Sequence, residues 1–211
     1  MNEELFYRRR LPHLQPPRST FFVSSRLAGS LPDHAIVELK EEQAFLHKQF
    51  RDAKDEKTRN HIARKLDGRY FGKFDEYVDH ISTGPKWLAT PNIAAMFAEA
   101  IHFRDVSIYD LLCYTIMPNH IHLVFSVQQN DISLYRIMQS LKRHTAREAN
   151  KLLGRQGAFW HHESYDHVVK DGAELERTLQ YVLLNPVKAH FCKHWDDWKW
   201  SYNRNDLRIL D

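Results

Sequence analysis

Met117-Pro118-Asn119-His120-Ile121-His122-Leu123-Val124 is the stretch that decides the reading of this chain. Pro118-Asn119 is a turn, with one apolar run before it (107–117) and another after it (120–127). The two runs are predicted strands of a hairpin. In a strand alternate side chains share a face, so His120 and His122 point the same way. Two neutral imidazoles side by side begin a divalent-metal site. The spacing alone has little weight: with 14 His in 211 residues, about one His-x-His arises by chance. It gains meaning from a second segment, Tyr181-Val182-Leu183-Leu184-Asn185-Pro186-Val187-Lys188-Ala189.

Outward from the hairpin, the chain alternates strands and helices. Residues 19–27 (STFFVSSRL) are a predicted strand, closed by Ala28-Gly29-Ser30-Leu31-Pro32. Residues 41–69 are charged, with apolar positions at helical spacing, and read as one or two helices broken near Asp55. Residues 68–84 are aromatic-rich and irregular. Thr90-Pro91 opens a helix to about Phe103, since Pro suits the first helical position. A further helix is predicted over 132–153, a fourth strand over 159–169 and a last helix over 173–184, stopped by Pro186. The order is strand, helix, strand, strand, helix, strand, helix, with an insertion after the first strand. The expected fold is α+β: a ferredoxin-like split βαβ antiparallel sheet with helices on one face. The expected organisation is a basic N-terminal arm (1–18), a catalytic domain (19–190) with a helical insertion (41–84), and a Trp-rich C-terminal tail (191–211). There is no internal repeat.

Composition narrows the class. The chain is 43% hydrophobic and 12% aromatic, with net charge +3, which suits a folded domain and argues against disorder. Cys113 and Cys192 are the two cysteines. Without a CxxC pair, neither a disulfide framework nor a cysteine zinc site is expected, and both read as reduced thiols. No run of eighteen apolar residues occurs, so no membrane helix is expected. The N-terminus has no apolar core of a signal peptide. The expectation is a cytoplasmic protein.

The motifs, taken in order, resemble the REP-associated tyrosine transposases, within the single-tyrosine HUH transposases. The resemblance rests on Arg9-Arg10-Leu11-Pro12-His13-Leu14-Gln15-Pro16-Pro17 before a Thr-Phe-Phe-Val strand and on Met117-Pro118-Asn119-His120-Ile121-His122. It rests also on Phe159-Trp160 with Tyr165-Asp166-His167-Val168-Val169, and on Tyr181-x-x-x-Asn185-Pro186-x-Lys188-Ala189. It implies a bacterial enzyme that cuts and rejoins single-stranded DNA beside palindromic hairpins, nucleoid-associated when bound. It implies that His120 and His122 bind a divalent metal (Mg²⁺ or Mn²⁺), that Asn185 is a third ligand, and that Tyr181 links to a 5′ phosphate. A monomer and a homodimer both fit such a family. One departure is His190, where the pattern Lys-Ala-Gly leads one to expect glycine.

The residues support that chemistry on their own terms. Cutting DNA and rejoining it without external energy favours a covalent intermediate, and no GxxxxGK[ST] nucleotide-binding loop occurs. A free tyrosine has a pKa near ~10 and is a poor nucleophile at neutral pH, so a metal that polarises the phosphate is useful. Tyr181 and Asn185 stand four apart, on one face of a helix. Tyr165 is the rival nucleophile.

Candidate DNA contacts are Arg8, Arg9 and Arg10 of the arm, the cluster Lys142, Arg143, His144 and Arg147 on one helix, and Lys188. Trp160, His161 and His162 offer rings for unpaired bases, although Trp160 reads better as core. Two other functions compete: a hairpin-binding protein without cleavage, and a metal-dependent phosphoesterase that uses water.

Overall fold

The computed structural model describes residues 6–8, 12–14, 18–55, 58, 77, 84–129 and 132–204. The chain divides into two compact units, residues 28–85 and the remainder.

The larger unit is built on a five-stranded antiparallel sheet. It begins with two short strands, β1 (Phe6–Arg8) and β2 (Pro12–Leu14), paired antiparallel with Arg8 opposite Pro12. The expected arm is therefore a hairpin where it is described. The main sheet contains β3 (Thr20–Arg26), β4 (Asp110–Ile116), β5 (His120–Ser126), β6 (Tyr165–Val169) and β7 (Ser201–Asn203). Their order is β6-β3-β5-β4-β7. β5 lies between β3 and β4, which is the split βαβ arrangement expected from the element order.

Among the described residues of this unit are three α-helices: α2 (Pro91–His102), α3 (Leu134–Leu152) and α4 (Gly172–Lys188). Strand alternation sorts the sheet into two faces. Phe21, Val23, Ile121, Leu123 and Phe125 join Ile93 and Phe97 of α2 and Ile137 and Leu141 of α3 in one apolar core. Helices on one face hold for α2 and α3. The third, α4, packs on the opposite face, where its Tyr181 ring meets His122 and Phe22.

Local chemistry accounts for the elements. Pro91 sits at the first helical position of α2. Ser133 caps α3 by accepting a hydrogen bond from the Arg136 N–H. Asp171 caps α4 by accepting from Glu174 N at 2.8 Å, and the Glu174 carboxylate accepts from Lys170 N at 2.7 Å and meets His167 at 2.9 Å. These contacts anchor the first turn of α4 to β6.

Three expectations change. The strand expected over 159–169 is only Tyr165–Val169; Phe159 and Trp160 are buried in the core, joined to the sheet by one bridge between Trp160 and Leu27. α4 does not stop at Pro186 but runs to Lys188 with the proline inside. Burial of Val182, Leu183, Asn185 and Pro186 outweighs the one backbone bond that proline omits in the last turn. The tail contains a strand not expected: β7 pairs with β4, and Trp198 Nε1 donates to the Ile116 carbonyl at 3.1 Å.

The turn after α4 shows why glycine is the residue expected at position 190. Its φ is +59°, the left-handed region that favours glycine. His190 N donates to Val187 O at 3.0 Å and Phe191 N to Pro186 O at 2.9 Å, closing the helix in a Schellman motif.

The smaller unit, residues 28–85, contains α1 (Asp33–Asp52). The helix begins eight residues before the expected 41, directly after Pro32, because Leu31, Ile36 and Leu39 supply an apolar cluster together with Tyr77. Tyr77 hydroxyl donates to the Glu38 carboxylate. Gly84, with φ +93°, packs so closely that a Cβ there would lie 2.6 Å from the Gly29 carbonyl. The two ends of this unit thus meet. The break expected near Asp55 falls at Ala53, which ends α1; beyond Asp55, the rest of the segment expected to be helical to residue 69 lies, apart from Thr58, outside the described residues.

Candidate active site

His120 and His122 are fully buried at the start of β5, on the face covered by α4. Their Nε2 atoms stand 3.1 Å apart. Two nitrogens bound to one ion at about 2.1 Å each, roughly 95° apart, sit at about that separation. His120 Nδ1 lies 2.8 Å from Asn119 Oδ1. If the Asn oxygen accepts, Nδ1 carries the proton and Nε2 keeps its lone pair for a ligand, the usual support of a metal-bound imidazole. The donor set therefore fits a divalent ion. Among the described residues no cluster of three or more His, Cys, Asp or Glu exists.

Tyr181 comes to this pair from α4. Its ring centroid is 5.6 Å from that of His122 and 6.0 Å from that of Phe22, edge-on to both. Its hydroxyl oxygen is buried. Asn185 follows one helical turn later and is fully buried, as Val182 and Leu183 are. Lys188, two turns after Tyr181, holds its Nζ 4.8 Å above the Tyr181 ring centroid. Tyr165 also lies on this face, opposite Ser24 in the register, and its ring meets Phe22 at 6.0 Å. The Tyr181 ring reaches His122.

Other residues at this end of the sheet were not singled out by sequence. Arg26 is only 4% exposed and is the register partner of His120; its Nη1 lies 3.4 Å from the Leu27 carbonyl. A charged residue closing an otherwise apolar and small strand was the available signal. Ser24 stands opposite His122, fully buried, with no hydrogen-bond partner for its hydroxyl among the described residues. His161 donates its backbone N–H to the Arg26 carbonyl at 2.9 Å. Burial, and then the nearby Arg26 charge, lower its pKa to about 4, so it is neutral at neutral pH.

The expected DNA contacts separate. Lys142 Nζ donates to the His161 carbonyl at 2.6 Å and to Ser164 Oγ at 3.1 Å, so it braces that loop. Arg143, His144 and Arg147 line a groove of about 350 Å³ together with Arg104 and Arg136. Helix α3, which forms most of it, covers the sheet face opposite Tyr181. Trp160 is buried, and its Nε1 donates to Thr145 Oγ1 at 3.0 Å, which removes it as a base-stacking platform. His162 is exposed beside His161, rings 4.5 Å apart. Arg8 lies in β1; Arg9 and Arg10 lie outside the described residues.

A buried histidine pair on a central strand is thus faced by a tyrosine on the last helix. Residues 87–184 match the family described as Transposase IS200 like. A protein of Haemophilus influenzae named for the REP-associated tyrosine transposases is 25% identical over 109 residues, covering 47% of this chain and 62% of that protein. The REP-associated tyrosine transposase of Escherichia coli K12 is 19% identical over 99 residues, covering 47% and 57%. The matched regions thus span about three-fifths of these relatives. The structure of a REP-associated tyrosine transposase bound to a REP hairpin superposes with TM-score 0.53 at 13% identity, over 92% of this chain and 80% of that one. That likeness establishes the shared fold.

Proposed function

We propose that this protein is a DNA transesterase that cuts and rejoins single-stranded DNA beside REP-type palindromic hairpins, with Tyr181 as the nucleophile. The observation that carries the reading is the Tyr181 ring resting 5.6 Å from His122, whose Nε2 is 3.1 Å from that of His120. A bare hairpin-binding protein has no need of a tyrosine set against two converging imidazoles.

The Tyr181 oxygen attacks the scissile phosphorus as its hydroxyl proton passes to solvent, and the 3′ oxygen leaves and takes up a proton to become a hydroxyl. A phosphodiester is exchanged for a phosphotyrosine diester, so the bond energy is retained and the reverse attack by a 3′ hydroxyl rejoins the strand. His120, His122 and Asn185 would hold a divalent ion (Mg²⁺ or Mn²⁺), with Asn119 orienting His120. Such an ion supplies Lewis-acid polarisation of the phosphate. The Phe22 ring, itself packed on Tyr165, borders the Tyr181 ring. Recognition of the hairpin rests on phosphate contacts, for which the arginine groove on α3, with Arg143, His144 and Arg147, and the strand carrying Arg8 are candidates. The organisation proposed is a catalytic unit with an insertion, closed by a Trp-rich tail, in a bacterial cytoplasm and on the nucleoid when bound.

The test is incubation of the full chain with Mn²⁺ and hairpin-bearing single-stranded oligonucleotides labelled at either end. The expected product is a denaturant-resistant protein adduct on the 3′-labelled fragment, absent with EDTA and absent in Tyr181→Phe. Binding without any cleavage would establish the binding-module reading. Cleavage that survives Tyr181→Phe would establish water as the nucleophile.

A further inference from the structure

We propose that Lys188 is a catalytic residue: its ammonium holds a non-bridging oxygen of the phosphate while that phosphate passes from the DNA 3′ oxygen to Tyr181. The inference rests on the transesterase reading and assigns a residue that reading does not require.

The geometry begins with helix periodicity. Seven residues separate Lys188 from Tyr181, close to two full turns, so both side chains lie along one side of α4. The Lys188 Nζ accordingly lies 4.8 Å over the Tyr181 ring centroid. A lysine in the last turn is also held by the negative end of the helix dipole. The side chain is exposed, and among the described residues its ammonium makes no ion pair, so its charge is available to an incoming anion.

The site needs such a charge. The phosphodiester has one negative charge before the transfer and one after it. In between, negative charge builds on the equatorial oxygens of the five-coordinate phosphorus. A fixed cation beside those oxygens is stronger there than in the ground state, and this differential is what accelerates a reaction. One P–O bond forms to Tyr181 and one breaks to the 3′ oxygen. Lys188 keeps its proton throughout and transfers nothing. Lysine suits the task because its ammonium is a compact charge on a flexible stem, able to follow the phosphorus from one oxygen to the other. The arginines of the α3 groove are different. They line the surface of a helix on the other face of the sheet, away from the Tyr181 ring.

The test separates catalysis from binding. For wild type, Lys188→Met and Lys188→Arg, the full chain is titrated onto a hairpin oligonucleotide without Mn²⁺ to give Kd. The adduct is then followed in a single turnover with Mn²⁺ at saturating protein, and melting temperatures confirm folding. The expected result is a Kd within about threefold of wild type for Lys188→Met, a saturated rate lower by at least about tenfold, and partial recovery in Lys188→Arg. A weaker Kd with an unchanged saturated rate would make Lys188 a plain DNA contact and overturn the proposal. Unchanged Kd and rate would make it a packing cation and overturn it equally. A wild type that forms no adduct with Mn²⁺ would overturn the transesterase reading and this assignment together, whereas adduct formed at one rate by wild type and Lys188→Met would overturn the assignment alone.

Discussion

Ile121, Leu123 and Phe125 of β5 point into an apolar layer beneath α2 and α3, whereas His120 and His122, one residue out of step, point into the layer beneath α4 with Tyr181. One strand thus serves two purposes, and period-two alternation keeps them apart. The apolar face joins residues from β3, β4, β5, α2 and α3 in a single cluster. The other face buries polar groups, among them Ser24, Thr115, His120, His122 and Asn185, each with no exposure. Burying them gains little from the hydrophobic effect and costs desolvation. The difference teaches that the continuous apolar core lies on one side of this sheet and the candidate site on the other, and that each side can be broken separately.

The sharpest contrast comes from Tyr181→Phe. It is expected to lower adduct formation at least ~10³-fold while unfolding free energy stays within about 1 kcal/mol. Denaturing gels and denaturant melts on the same sample check both. On the apolar face Leu123→Ala should do the reverse. A destabilisation of about 3 kcal/mol is expected, read by urea unfolding, with the adduct rate per folded molecule preserved. Equal losses of stability from both variants would remove the division between the faces.

Metal binding sharpens the same comparison. Mn²⁺ at about 100 times its Kd should stabilise the wild type by about 2.7 kcal/mol. The doubly substituted chain, His120→Ala with His122→Ala, should gain nothing. An equal rise in melting temperature for both would put the ion elsewhere.

The site end of the sheet also predicts a pH effect. His161 is held down to about 4 from 6.5 by burial first and then by the Arg26 charge. Below 6.5 the unfolded chain takes up a proton that the folded chain refuses. Stability conferred by the neutral imidazole is therefore complete above pH 6.5 and is lost as pH falls towards 4. Melting temperature against pH should slope down through that window, and His161→Gln should flatten the slope.

The smallest effect is expected at His190. With φ at +59°, His190→Gly relieves a left-handed backbone and should stabilise by about 1 kcal/mol. The saturated adduct rate should not change, because the residue closes the helix after the site rather than lining it.

Much of the fold and the centre of the site were legible from one dimension. The hairpin around Pro118-Asn119 was readable because two apolar runs flank a turn dipeptide, and α2 because Pro91 marks its first turn. Period two puts His120 and His122 on one face and period 3.6 does the same for Tyr181 and Asn185, while the roles expected of them came from the motif resemblance. Other parts were not. The start of α1 at Asp33 was hidden because Pro32-Asp33 reads equally as a turn. β7 is three residues long and exists because the edge of β4 offers it backbone partners. The continuation of α4 through Pro186 depends on burial against the sheet, which local proline sterics cannot anticipate.

By itself, then, the sequence determined the alternation of elements and the pairing of motifs, since both follow from spacing along one chain. Only the tertiary structure decided which distant residues share a layer. It put Arg26 in register with His120, drew Lys142 onto the 161–164 loop, sent Trp160 into the core, and set Lys188 over Tyr181. These are outcomes of strand register and helix packing, which depend on how buried surfaces fit one another across long sequence separations. Local propensity and spacing contain no information about that fit.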